Sequence, residues 1–483
     1  MSGDAPRRTH GLWLGPALAV GLAVTPIGSL QGDAKVVLAV VLWMAVWWVT
    51  EAAPLAVTSL LPLVLFPLAG VRGVRDVAPN YSDHMIFLFF GGFVLALAVQ
   101  RSGLHRRLAL AILDALGSSP RRQMWGFLVA TALLSMWLSN TATTLMMLPI
   151  AAGVVDRIGD RTAGTRLFLA VAYGASVGGV GTLVGTPPNL VLAGMAPNLV
   201  DGIETIGFGR WMLFGVPFVV LMLPAVGLLL GRGLSRTAAS GEGVSDERRA
   251  LGPLRPVERR VAIVFAVTAL AWITRSGMDF GALQIPGWDR LLPDPKAASD
   301  AVPAVAAAIA CTLLPSGEGH GRRLLHWDEV RHGVPWGVLL LFGGGFALAD
   351  GFRVSGLGEW LAHGLAVLGD LPLPLVVLCL CLFATTATEL TSNTATATLL
   401  MPILAALAEV LGVHAYLLMV PAIVSCSCAF MLPVATPPNA IVIGSGHVSA
   451  RDLFREGLRL NLIGAVIVTA LTLTVGRLVL PLG

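Results

Sequence analysis

Four short polar stretches hold the chemistry this chain could do. Residues 138–150 read LSNTATTLMMLPI and residues 391–403 read TSNTATATLLMPI, so Ser-Asn-Thr-Ala-Thr occurs twice, 253 residues apart. GTPPN at 185–189 recurs as ATPPN at 435–439, offset by 250. Proline lacks an N–H and its ring clashes with the preceding turn, so a Pro-Pro pair inside an apolar helix must unwind it. Unwinding frees backbone carbonyls and exposes the N-terminus of the half-helix that follows. Carbonyls joined by Ser, Thr and Asn oxygens make a hard-oxygen site for a small cation. Half-helix N-termini carry partial positive charge and free N–H donors, which suit an anion.

A lone Ser or Thr in a membrane helix usually serves as an interhelical hydrogen bond. Two copies of two polar breaks are a different pattern, and they read as a binding site. Its parts are the tips Ser139-Asn140-Thr141 and Ser392-Asn393-Thr394 and the breaks at 186–189 and 436–439. No Lys, Arg or His lies in any of them. An anion held there would be held by hydroxyls, amides, backbone N–H groups and co-bound cations. Glu389 is the only charged residue in either polar-centred stretch, and its repeat counterpart is Met136. An intramembrane carboxylate is a functional candidate; the plain alternative is a structural hydrogen bond. Cys311, Cys379, Cys381, Cys426 and Cys428 lie in apolar segments with no His or acidic cluster beside them. They read as buried thiols of helices rather than metal ligands. The Trp cluster at 43–48 reads as lipid-facing or interfacial, and the Met residues around the tips as packing. An enzyme would need a nucleophile–base pair or a His/Asp metal set inside the bilayer. None is visible, so no catalytic residue is assigned.

The elements that must position these groups follow from composition. With 55% hydrophobic and 12% charged residues over 483 positions and a mean hydropathy of +0.80, this is not a soluble chain. Apolar runs of roughly 17–25 residues, the length a helix needs to cross hydrocarbon, recur throughout. The fold class is therefore all-α and polytopic; the alternating strands of a β-barrel are absent. The net charge of +4 comes from loop arginines and reports topology rather than a nucleic-acid partner. The first apolar run, near 12–29, follows Arg7 and Arg8 without a small-x-small cleavage site, so it reads as a retained span. Eleven spans are expected, near 12–29, 35–51, 53–70, 84–104, 165–195, 209–231, 259–276, 300–315, 335–352, 416–446 and 457–480. The stretches 123–155 and 371–408 hold the Ser-Asn-Thr clusters near their centres. They look too long for one span and too short for two, so each is expected to be a re-entrant hairpin with its cluster at the tip. Such backbone is tolerated only against protein or a watery cavity.

Loop charge tests this layout. Segments 101–122 and 156–166, flanking the first hairpin, hold eight arginines against three acids, and 231–260 holds seven more. Segments 316–335 and 447–459 hold three arginines each, whereas 276–300 and 349–371 are acidic. The alternation places the N-terminus in the cytoplasm and the C-terminus outside. GGF at 91–93 recurs at 344–346, and Ser102-Gly103-Leu104 recurs as Ser355-Gly356-Leu357. Corresponding spans are five apart, an odd number, so the second copy is inverted relative to the first, as in secondary transporters. The expected division is a tail and first span at 1–34, a first repeat at 35–232 (hairpin 123–155, broken helix 165–195), a cytoplasmic linker at 233–258, and a second repeat at 259–483 (hairpin 371–408, broken helix 416–446).

At these residues the chain resembles the divalent anion–sodium symporter family, from about residue 35 to the end. The resemblance implies a homodimer in the plasma membrane (the cell inner membrane) that moves dicarboxylates, citrate or sulfate by an elevator motion of hairpins and broken helices against a scaffold. It implies substrate contacts from Ser139, Asn140, Ser392, Asn393, Thr394, Thr436 and Pro437; Thr141, Thr186 and Pro187 of the same tips and breaks complete the candidate set. It implies one sodium ion at Ser135, Ser139, Asn140 and Gly185 and a second at Thr388, Thr391, Asn393 and Ala435, several through backbone carbonyls. Position 391 is Thr where a small residue is expected. Co-transported sodium and a C4 dicarboxylate (succinate, malate or fumarate) are the leading partners, since both tips keep a Thr hydroxyl after Asn. Sodium-independent exchange, or sodium-coupled movement of sulfate or citrate, is the alternative. A channel is disfavoured because it needs no paired hairpins.

Overall fold

The computed structural model describes residues 5–235, 243–279, 284–319, 321–365 and 371–482. Among the described residues every regular element is a helix except a two-residue antiparallel pairing of Met278–Asp279 with Gln284–Ile285. Helices α1 (Ala5–Val24) and α2 (Gly32–Thr50) pack side by side. Next come α3 (Leu55–Thr58) and α4 (Leu61–Leu68), pieces of one expected span that is broken at Ser59–Leu60 among Pro54, Pro62 and Pro67. After the short α5 (Val74–Val77) come α6 (His84–Ser102) and α7 (Leu104–Leu116). Helices α8 (Pro120–Ser135) and α9 (Asn140–Ile158) form the first hairpin, and α10 (Arg161–Gly179) and α11 (Pro187–Leu199) are the halves of a broken helix. The chain continues through α12 (Phe208–Leu230), α13 (Gly243–Ala250), α14 (Pro256–Ile273), α15 (Ala301–Leu313) and α16 (Trp327–Gly333). Then α17 (Trp336–Ser355) and α18 (Leu357–Leu365) lead to the second hairpin, α19 (Leu373–Leu390) and α20 (Asn393–Leu411). The second broken helix, α21 (Tyr416–Cys426) and α22 (Pro437–Gly444), and α23 (Ala450–Leu471) complete the pass.

Eight helical segments among the described residues are long and apolar enough to cross a membrane, three of them hairpin arms: α9, α19 and α20. This corrects the length argument for the hairpins. The arms α8, α9, α19 and α20 run to 16, 19, 18 and 19 residues, so each is about as long as a span. The helix expected as the first span ends at Val24 rather than near 29.

The Ser-Gly-Leu motifs have a structural meaning. Each ends a long helix and starts an amphipathic one (α6 to α7, α17 to α18), with Gly103 at φ 81° and Gly356 at φ 71°. Both are in the left-handed region where glycine avoids a Cβ penalty, so the chain turns sharply without a loop. In the linker, α13 lies against α7. Ser245 and Arg248 bind Asp114 there, holding its carboxyl below the usual carboxylate range.

Two sequence readings change. Trp48 is buried at 1% exposure, and Trp43 and Trp47 stack edge-to-face beneath α1, with Trp47 Nε1 donating to the Leu12 carbonyl. The cluster fastens α1 to α2 rather than facing lipid throughout. Cys379 is exposed, while the other four thiols are buried, and Cys428 lies in the unwound run after α21 rather than in a helix.

Helix α10 is deeply enclosed along most of its length. Every residue from Leu167 to Gly179 is buried, between the hairpin α8–α9, α12 and α22. Small residues make this possible: a Cβ on Gly178 would collide with the Ala132 carbonyl of α8.

Candidate functional site

Each hairpin turns at its Ser-Asn-Thr. Ser139 is the N-cap of α9 in extended backbone and accepts the Ala142 N–H at 3.3 Å, as serine does at a helix start. Ser392 takes the same place before α20. The asparagines are held alike. Ser135 Oγ donates to Asn140 Oδ1 at 2.8 Å, and Thr388 Oγ1 donates to Asn393 Oδ1 at 2.7 Å. Both donors precede their asparagine by five residues, across the tip.

The two breaks are also built alike. Pro187 and Pro188 open α11, and Pro437 and Pro438 open α22, where a missing N–H costs nothing. The unwinding therefore falls before them, at 180–186 and 427–436. The freed carbonyls are claimed by the last residue of each Thr-Pro-Pro-Asn. Asn189 Nδ2 donates to the carbonyls of Gly179 at 3.1 Å and Thr182 at 2.7 Å. Asn439 Nδ2 donates to those of Ala429 at 3.1 Å and Leu432 at 3.0 Å. These two asparagines were legible only as part of a motif, yet they hold each break in shape.

All four pieces meet at one cavity of about 1480 Å³. Ser139, Asn140, Thr141, Thr186 and Pro187 line it from the first half, and Ser392, Asn393, Thr394, Thr436 and Pro437 from the second. Gly185, Thr391 and Ala435 of the candidate cation sets also reach its wall. Ser135 and Thr388 do not; both are fully buried behind the tips. Among the described residues no lysine or arginine lines the cavity. Its ionisable side chains among the described residues are His10 and Glu51, at the α1–α2 end, which the repeat pattern gave no reason to expect. Glu51 is also the only non-glycine described residue with positive φ, at 50°.

Oxygens lie close together behind each tip. A Cβ built on Gly179 would lie 2.5 Å from Asn140 Oδ1 and 3.2 Å from the Gly185 carbonyl oxygen, and one on Gly185 would lie 2.9 Å from the Met136 carbonyl oxygen. With Ser135 Oγ, this gathers side-chain and backbone oxygens around the first tip. Around the second, Thr388 Oγ1 bridges Asn393 Oδ1 and the Cys426 carbonyl, at 2.7 and 2.9 Å. The unexpected Thr391 side chain does not intrude there, because its hydroxyl is turned back onto the Ala387 carbonyl at 3.0 Å and Thr396 Oγ1 at 2.5 Å.

Four helices, α9, α11, α20 and α22, begin at the cavity wall. Each contributes about half a positive charge at its N-terminus. The Pro-Pro pairs remove the first N–H donors from α11 and α22. Direct donation to an anion therefore falls to the hairpin helices α9 and α20, and the breaks are left rich in carbonyls. Donors for an anion and oxygens for cations thus sit side by side.

A family model described as the sodium:sulfate symporter transmembrane region matches residues 13–482. The chain is 39% identical over 477 residues to a protein named sodium-dependent dicarboxylate transporter SdcS of Staphylococcus saprophyticus, covering 95% of this chain and 89% of that one. It is 40% identical, with the same coverage, to the protein of that name from Staphylococcus aureus strain USA300. Among solved structures it superposes on the YdaH transporter of Alcanivorax borkumensis with a TM-score of 0.59 at 17% identity, over 84% of this chain and 89% of that one, a likeness of fold.

Proposed function

The chain belongs to the sodium:sulfate symporter family, and on that premise we propose that it is a secondary active transporter, not an enzyme, that uses sodium to carry a C4 dicarboxylate across the plasma membrane. The observation that carries this reading is the convergence of both asparagine tips and both Thr-Pro-Pro breaks on one cavity that no lysine or arginine lines among the described residues. A dianion in a low-dielectric site needs compensating charge. The four helix N-termini supply partial charge, but two of them are stripped of their leading N–H donors by proline. Two sodium ions, one at each oxygen cluster, match the charge of the dianion. Each tip asparagine then serves both ligands. Its Oδ1 sits with the cation oxygens, and its Nδ2 remains for a substrate carboxylate. One amide contacting both ligands is a direct route to coupling.

The finer architecture follows the same reading. Eleven spans and two re-entrant hairpins form two inverted repeats, 35–232 and 259–483, joined by the cytoplasmic linker 233–258. The N-terminus lies inside and the C-terminus outside. Support comes from the matched contacts of the two halves and from the meeting of both tips at one cavity. Hairpins and broken helices move as one body against the remaining helices, and two copies assemble as a homodimer. The relatives' names favour dicarboxylate over the sulfate of the family description.

The test is uptake of labelled succinate into empty proteoliposomes. Accumulation is expected with external sodium and not with choline. Equal uptake in both salts, or uptake only into vesicles preloaded with dicarboxylate, would replace symport with exchange. Labelled sulfate and citrate in the same vesicles decide the anion.

A further inference from the structure

One charged side chain sits deep in the second hairpin. Glu389 is 2% exposed and directly follows Thr388. Its Oε1 accepts the Met431 N–H at 2.8 Å and Asn461 Nδ2 at 2.8 Å, and its Oε2 accepts the Leu432 N–H at 2.9 Å. Met431 and Leu432 belong to the unwound run between α21 and α22, and Asn461 belongs to α23. A single carboxylate thus ties the hairpin tip to the break and to a third helix.

The first half makes the same joint without a charge. By the 253-residue offset Glu389 corresponds to Met136, and by the 250-residue offset Leu432 corresponds to Thr182. There the Thr182 hydroxyl donates to the Met136 carbonyl. In one half the break donates through a side chain to hairpin backbone; in the other it donates through backbone to a hairpin side chain.

We infer that Glu389 is a positioning residue for the second cation site, and that its charge makes the two cation sites unequal. The inference rests on the sodium-coupled reading above. All three partners are N–H donors, the environment of a carboxylate that only accepts. Hydrogen bonds to an ionised acceptor are about twice as strong as neutral ones. They fix the unwound backbone that leads to Ala435 and Thr436, beside Thr388 and Thr391. The same carboxylate adds negative charge next to the second oxygen cluster, and Met136 adds none to the first. Glu389→Gln keeps the shape but removes the charge, and it turns an amide donor toward groups that themselves donate.

The experiment titrates succinate binding to the purified full chain against sodium, with choline holding ionic strength, alongside thermal unfolding in each salt. For Glu389→Gln the half-saturating sodium concentration is expected to rise by about tenfold or more, the loss of one charge-assisted bond. The sodium dependence should also flatten from about second order toward first. Asn461→Leu, which keeps the carboxylate and two backbone donors, should shift half-saturation the same way by a smaller factor without flattening the curve. Thr182→Val should leave the order of the curve unchanged. If Glu389→Gln and Asn461→Leu only lower the unfolding temperature, equally in sodium and choline, with half-saturating sodium unmoved, Glu389 is a structural tie and the inference is overturned. If Glu389→Gln does not fold, an unmoved half-saturation in Asn461→Leu overturns it alone. Absence of any sodium response in the unmodified protein would overturn the symport reading itself, and this inference with it.

Discussion

The Ser135 hydroxyl donates to the Asn140 amide oxygen across 2.8 Å, from five residues back along the chain and from the opposite arm of the hairpin. The bond commits one end of the amide to the protein side of the tip and leaves the other for the cavity. Asn393 is committed in the same way by Thr388. Asn140→Ala or Asn393→Ala should therefore abolish succinate uptake while the protein still inserts and unfolds cooperatively. Near-normal uptake by either folded variant would remove the tips from the site.

Ser135 lies behind the tip and does not line the cavity. Ser135→Ala should raise the half-saturating sodium concentration several-fold, on the scale of one lost hydrogen bond or oxygen ligand, with little change in succinate affinity at saturating sodium. A loss of succinate affinity that saturating sodium does not repair would contradict a purely ionic role.

The hairpins should open from opposite faces. Gly159 and Gly412 have φ of 64° and 59°, so labels belong at neighbouring exposed positions instead. Ser118→Cys and Arg161→Cys should react with an impermeant thiol reagent only from the cytoplasm, and Leu371→Cys and Glu409→Cys only from outside. Cys379, the exposed native thiol, must first be replaced. A pair that splits across the membrane would show that its arms cross completely, as their length permits.

Asn189 is wholly buried, and its Nδ2 is the shared partner of the freed carbonyls in the first break. Asn189→Leu strands them at a cost of about 1–3 kcal/mol for each. The unfolding temperature should fall in choline as well as in sodium, and added sodium should recover only part of the loss. An unchanged unfolding temperature would mean that the break is held by its prolines alone.

The duplicated polar clusters could be read from sequence because polar residues in an apolar stretch must have a reason to be there, and the reason occurred twice. All ten candidate substrate residues reach one cavity, which spacing alone implied through the paired offsets. The α1–α2 end of that cavity was not legible. His10 and Glu51 belong to no repeat, and the tryptophans that fasten α1 look the same in sequence whether they face lipid or protein. Hairpin length was misjudged because the counted stretches stopped short of the helix ends: the first hairpin begins at Pro120 rather than 123, and the two run on to Ile158 and Leu411 rather than 155 and 408. Ser-Gly-Leu was visible as a repeat, but only the positive φ of its glycine explains it. Asn189 and Asn439 were in plain view as the last letter of each Thr-Pro-Pro-Asn. Their role as donors to freed carbonyls was already implied by the unwinding, since buried carbonyls must be paired.

The enclosure of α10 bears on how the chain is made. The helix is rich in Gly and Ala, begins with an arginine, and is not among the segments apolar enough to cross a membrane unaided. During synthesis it emerges after α8 and α9, the hairpin that will clasp it, and well before α22, which covers another side. Newly made α10 therefore enters the bilayer at the expense of its neighbours' apolarity, and the hairpin that reaches the membrane first acts as its receptacle. Until the second half of the chain is translated, one flank of α10 has no protein partner. The nascent first half is thus the stage of biogenesis at which membrane chaperones and quality-control proteases have an uncovered, weakly apolar helix to recognise.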